Sequence, residues 1–153
     1  MPPVVVASPH ALKDFIGREI GVSDWLRVTQ NRIQTFADAT GDDQWIHVDA
    51  ERARKESPWG TTIAHGFLTL SVVSHLARQV LEVGGVRMRV NYGLNRVRFP
   101  SAVRADSRIR ARVALQSLKE LPDCFEATLL VTVECENAEK PCCVAEWLVR
   151  YYT

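Results

Sequence analysis

Phe67, Leu68, Leu70, Val72, Val73, Leu76, Ala77, Val80 and Leu81 make a run that is apolar almost all the way around a helix. A helix without a polar stripe is stable only when it is buried on most sides. The rest of the chain must therefore supply a wrapping. Glycines bracket the run, with Gly66 at its head and Gly84-Gly85 where a helix stop is expected.

The wrapping follows directly. After Gly85 the apolar period changes from helical to two. Val86, Met88, Val90 and Tyr92 alternate with polar residues, whereas Val97 and Phe99 fall on the other parity. That slip predicts a bulge at Gly93 to Asn95. Ile109 to Leu115, Phe125 to Cys135 and Cys143 to Tyr151 are three further alternating runs. Pro100, Leu121-Pro122-Asp123 and Asn137 to Pro141 separate them. Antiparallel strands with one polar face need one covered face. The economical packing is an α+β architecture in which an antiparallel sheet wraps a long central helix, the hotdog arrangement. The 153 residues suit one domain spanning 1–153, with no internal repeat or linker.

Upstream, Ser8-Pro9 opens a short helix, with Ala11, Leu12, Phe15 and Ile16 on one face. Arg18 to Val28 reads as a strand broken near Ser23-Asp24. Thr29 caps a helix over Gln30 to Thr40, and Gly41 stops it. Val48 to Thr62 is a polar overhang, partly helical, that ends at Pro58-Trp59-Gly60. Asp49 is placed to cap its helix.

Composition narrows the function. A formal net charge of +1 gives no global field that would favour nucleic acid or membrane. The N-terminus lacks both a basic region and a long apolar run, so no signal peptide or membrane span is expected. Cys124, Cys135, Cys142 and Cys143 form no C-x-x-C pair, which argues for reduced thiols in a cytoplasmic protein and against zinc.

Two short motifs carry chemistry. Asp42 stands five residues before His47, on the turn behind a glycine helix stop. Gly66, after Ala64-His65, heads the buried helix. A neutral imidazole with an ordinary pKa of about 6.5 can take a proton from water at neutral pH. Asp42 could hold the same water and manage a second proton. An amide in the first helical turn has no partner inside the helix, and a residue without a side chain lets an oxyanion approach it. Taken alone, Asp42 is a turn residue and His47 an ordinary histidine. Their joint occurrence with Ala64-His65-Gly66 makes the pair a candidate site. His65 reads as structural, holding its loop by a hydrogen bond. His10 and His75 have no partner motif.

Phe36-Ala-x-x-Thr40-Gly-Asp42-x-x-x-Ile46-His47-x-Asp49, Ala64-His65-Gly66 and Tyr92-Gly-x-Asn95-x-Val97-Arg98-Phe99 together resemble the MaoC-like branch of the hotdog superfamily. That branch includes (R)-specific enoyl-CoA hydratases. The resemblance implies Asp42 and His47 as the catalytic pair, Gly66 as the oxyanion glycine and Ser74 as a serine that helps fix the pair. It implies a homodimer and a 2-enoyl-CoA substrate converted to an (R)-3-hydroxyacyl-CoA. No metal or redox cofactor is required. Gln44 and Trp45 stand where some members have Asn and Pro; proteins described as nodulation-protein-N-like share this variation. Ser74 could instead bond back to a carbonyl one turn earlier.

Arg87, Arg89, Arg96, Arg98 and Arg104 are basic along one strand and the turn after it. Arg96, Arg98 and Arg104, with Gln44 and Asn95, are candidates for substrate contact, the arginines through coenzyme A phosphates. A solvated sheet face is the other reading of the arginines, and service to the bulge that of Asn95. The stretch lacks the aromatic pattern of single-strand binding, so nucleic acid is a poor partner. Two further readings are a hotdog thioesterase and a non-catalytic acyl-CoA-binding protein. The Asp-x-x-x-x-His spacing argues against the thioesterase.

Overall fold

The computed structural model describes residues 1–153. Strand β1 (Val4–Val6) is followed by a 3-10 helix (Pro9–Phe15), β2 (Arg18–Val22) and β3 (Leu26–Arg27). Pro9 takes the first helical position, as expected. The break between β2 and β3 has a physical cause. The Ser23 N–H donates to the Ala111 carbonyl and its hydroxyl accepts from the Ala111 N–H, each at 2.9 Å. A buried side-chain oxygen thus stands in for a ladder partner as the chain changes direction.

Helix α1 (Gln30–Thr40) begins where Thr29 Oγ1 accepts the Arg32 N–H at 3.1 Å, and ends at Gly41, whose φ of 79° is left-handed. The overhang holds α2 (Trp45–Val48) and α3 (Ala50–Glu56). An Asp49 carboxylate oxygen caps α3 by accepting the Arg52 N–H at 3.0 Å.

The central helix differs from the expectation. It is two short segments, α4 (Gly66–Ser71) and α5 (Val73–Arg78), with Val72 between them. The Ser71 hydroxyl donates back to the Phe67 carbonyl at 2.7 Å, an interaction that bends helices. The helix also stops well before Gly84. Leu81–Val83 is strand β4 and pairs in parallel with β1, so the last part of the apolar run is sheet. Gly84-Gly85 ends that strand. A Cβ on Gly84 would lie 3.0 Å from the Ala7 carbonyl oxygen, and Gly85 has φ +65°.

Strands β5 (Met88–Arg98), β6 (Arg108–Glu120), β7 (Cys124–Cys135) and β8 (Cys143–Tyr152) complete the main sheet. Its order is β2-β6-β7-β8-β5, with β3 also on β6 and every pairing antiparallel. The alternating residues of β6, β7 and β8 behave as their parity predicts. Ile109, Val113, Leu115, Leu129, Val131, Val133, Ala145 and Val149 are buried around Leu76 and Val73 of the helix. The fold is therefore the wrapped α+β arrangement.

Strand β5 does not follow this pattern. Met88, Tyr92, Leu94 and Phe99 are exposed. As the last strand of the sheet, β5 has only β8 beside it and does not close over the helix. Its register slips twice, between Asn91 and Gly93 and between Leu94 and Arg96, which includes the expected bulge and adds a second.

The four cysteines are buried free thiols, and no helix is long and apolar enough to cross a membrane.

Leu76 is fully enclosed between helix and sheet. Leu76→Ala should cost about 2–5 kcal/mol of stability. Urea unfolding monitored by circular dichroism would measure it, and a loss under 1 kcal/mol would contradict this account of the core.

Candidate active site

The site is assembled on one short backbone segment, residues 62–65, which is bonded on both sides. The Ile63 N–H donates to the Ile46 carbonyl at 3.0 Å. The Ala64 N–H donates to the Val103 carbonyl at 2.8 Å, and the Thr62 carbonyl accepts from Ala105 at 2.9 Å. Nothing in this segment is free to slide.

His47, on α2, is 6% exposed. Its Nδ1 lies 2.7 Å from the Ile63 carbonyl oxygen. A carbonyl can only accept, so Nδ1 carries the proton and the neutral ring presents the Nε2 lone pair. The Gln30 amide donates to the His47 carbonyl at 2.8 Å, while the Thr62 hydroxyl donates to the Gln30 carbonyl oxygen. Helix, overhang and strap are tied together through Gln30.

Asp42 lies just beyond Gly41, exposed, with its N–H 3.4 Å from Thr40 Oγ1. His65 connects it to His47. The His65 Nε2–H donates to the Asp42 backbone carbonyl at 2.9 Å. The His65 ring stacks on His47 with centroids 3.8 Å apart and planes 22° from parallel. Phe36 of α1 packs on His65 at 4.9 Å. One ligand-type atom each from Asp42, His47 and His65 lies within 4.8 Å of the others. In near-parallel stacked rings the in-plane lone pairs run side by side instead of converging on a point. Two of the four ring nitrogens are already donors to carbonyls. His47 Nε2 and His65 Nδ1 remain without a hydrogen-bond partner.

The electrostatics agree. Burial holds the His47 pKa below its ordinary 6.5. The Ile63 carbonyl opposes that shift, charge on His65 lowers the pKa further, and Asp42 raises it. The balance leaves His47 neutral and able to accept a proton near pH 7.

Gly66 is the first residue of α4, and its N–H donates to no protein acceptor. A Cβ there would meet the Phe99 ring at 2.9–3.1 Å. Gly66 and Phe99 form one wall of a cleft of about 780 Å³ that runs past Trp59 and Arg104 to Cys135 and Cys142.

The remaining sequence candidates are scattered. Ser74 is away from the pair. Its hydroxyl accepts from Arg89 Nη2 at 3.4 Å and lines a groove with Asn91, Leu94 and Trp147. The hydrogen bonds at the Asp42 and His47 segments come from Ile63, Gln30 and His65, and none comes from Ser74. Gln44 is exposed and contributes its carbonyl, which accepts the His47 N–H at 2.9 Å. Asn95 is the residue skipped at the second register slip of β5. Arg96 and Arg98 are exposed on the same strand, and Arg104 borders the cleft. None of these three arginines has an acid partner, whereas Arg108, Arg110, Arg112 and Arg150 on the outer face are all paired with glutamates.

Sequence reasoning did not single out Ile63, Gln30 or Thr62, and it named Phe99 only within a motif. Backbone carbonyls leave no trace in a sequence. Phe36 does stand in the first motif, four residues before Thr40, and its role was open to reading.

The chain is similar to known proteins over most of its length. A family model described as "MaoC like domain" matches residues 12–135. A protein named 3-hydroxyacyl-thioester dehydratase Z from Mycobacterium tuberculosis is 52% identical over 136 residues, 88% of this chain and 89% of that protein. Nodulation protein N of Rhizobium leguminosarum bv. viciae is 47% identical over 135 residues, 87% and 84% of the two chains. Two solved structures share the fold. A monoamine oxidase regulatory protein from Archaeoglobus superposes with a TM-score of 0.77 at 24% identity, covering 100% of this chain and 99% of that one. An (R)-hydratase from A. caviae gives 0.68 at 24% identity, covering 87% and 96%.

By nuclear magnetic resonance, His47 should titrate below pH 6.5 as the Nδ1–H tautomer. The unfolded chain binds that proton more readily, so stability should fall as pH drops below about 6.5. A midpoint at or above 6.5 would contradict the arrangement.

Proposed function

Because the chain belongs to the MaoC-like domain family, we propose that it is a hydro-lyase that reversibly hydrates a trans-2-enoyl-CoA to the (R)-3-hydroxyacyl-CoA. The observation that carries the reading is the Nε2 lone pair of a neutral His47, held beside Asp42 on the strap that leads into Gly66.

The residues support each step. Asp42 accepts one O–H of a water and orients it. His47 Nε2 takes the other proton as the water oxygen bonds to C3. The alkene electrons shift toward the thioester, and negative charge gathers on its oxygen. The free Gly66 N–H donates to that oxygen; one such donor is worth roughly 10²- to 10³-fold in other enzymes. The imidazolium then returns its proton to C2 on the same face, which completes a syn addition. Dehydration is the reverse. The acid/base pair is expected to supply about 10²- to 10⁴-fold in rate. The (R) configuration rests on the likeness to the named relatives.

Arg104, at the rim of the cleft beside Gly66, is the best placed of the arginines to meet a coenzyme A phosphate. Gln44 is exposed two residues from Asp42, so it would meet substrate at the lip of the site. Arg96, Arg98 and Asn95 would contact substrate only where a second copy covers β5. That strand is an unprotected sheet edge with Met88, Tyr92 and Leu94 exposed on it, and Phe67 and Phe99 nearby add apolar surface. A second copy of this chain is the natural cover for such an edge.

Purified protein should consume the enoyl absorbance of crotonyl-CoA and yield the (R) product on chiral analysis. Asp42→Ala and His47→Ala should each lose at least about 100-fold in kcat/KM. Normal activity in both would reject the mechanism, and release of free thiol without hydration would point to a thioesterase. In solution, light scattering should give twice the mass of one chain; a monomeric mass would remove the second copy from the reading.

A further inference from the structure

His65 touches all three parts of the site and has no assigned task. Its Nε2–H holds the Asp42 backbone carbonyl at 2.9 Å. Its ring lies flat on His47 at 3.8 Å. Its own chain continues into Gly66 as the residue that caps α4. It is 3% exposed, and its Nδ1 is buried without a partner. A histidine that only held a loop would not need to lie face to face with the imidazole of the candidate base.

We infer that His65 is a positioning residue for the pair, setting the height of the Asp42 loop through one nitrogen and keeping the His47 ring dry and uncharged through its face. This rests on the hydro-lyase reading for its kinetic consequences, though not for its physical content. Two stacked imidazoles at this separation cannot both carry charge cheaply. The only other ionisable group facing them is the Asp42 carboxylate, since α1 contributes the uncharged Phe36 ring and the strap contributes the Ile63 carbonyl. Charge on His65 therefore opposes protonation of His47.

Two variants separate the functions of His65. His65→Phe keeps a flat ring on His47 but removes the donor to Asp42. Its hydration rate should fall about 10- to 100-fold, as expected for a displaced catalytic group, with the acid limb of kcat/KM close to that of the parent. His65→Gln keeps an N–H donor but uncovers the His47 ring. Its acid limb should move to higher pH, because a more solvated His47 is protonated more readily. An unmoved limb in His65→Gln, or an unchanged rate in His65→Phe, would overturn the inference. Nitrogen-15 resonance of the histidines in the unaltered protein decides the matter independently of folding defects and of the substrate. The inference requires His65 as the Nε2–H tautomer, the only neutral form that can donate to the Asp42 carbonyl; the Nδ1–H tautomer would overturn it. Failure of crotonyl-CoA hydration with that tautomer intact would reject the proposed reaction alone.

Discussion

One hydrogen bond organises the candidate site: the Nδ1–H of His47 on the Ile63 carbonyl, 2.7 Å long and buried. It selects the tautomer, aims the opposite nitrogen and joins the overhang to the strap. It can do so because the strap is itself clamped by backbone bonds to Ile46 and to Val103. A carbonyl on a loose loop would give the ring a partner but no fixed direction. The wrapped helix matters in the same way. Its buried face anchors α4, and α4 begins where the strap ends.

Burial does two jobs at His47. It excludes competing water from the ring, and it disfavours the charged form. The Asp42 carboxylate, exposed only five residues earlier, is in the opposite situation. The candidate site therefore sets a buried imidazole beside an exposed carboxylate. The loop of Gly41 makes this possible, since its left-handed turn carries the chain from an exposed helix end to a buried one within a few residues.

Much of this was legible in the sequence, and the reasons differ by element. Strands β6 to β8 and helix α1 were readable because parity and caps act locally. Asp42, His47 and Gly66 stood out as candidates because the Asp-x-x-x-x-His pair and Ala64-His65-Gly66 occur in one chain, and the structure brings Asp42, His47 and His65 together. The central helix was overread: an all-apolar run has no phase, so nothing local marks where helix yields to β4, and the parallel partner β1 lies some 75 residues away. Strand β5 misled for the complementary reason. Val97 does pack against the core, but Met88, Tyr92 and Leu94 lie on the surface, on the strand where the sheet ends. Ser74 turned toward Arg89 of β5, a contact that its spacing along the helix did not announce.

The Phe99 ring packs where a side chain on Gly66 would have to go. A side chain at residue 66 would need that ring, itself partly exposed, to swing aside. The amount of room above the first amide of α4 is thus decided by an aromatic residue that lies more than thirty positions further along the chain.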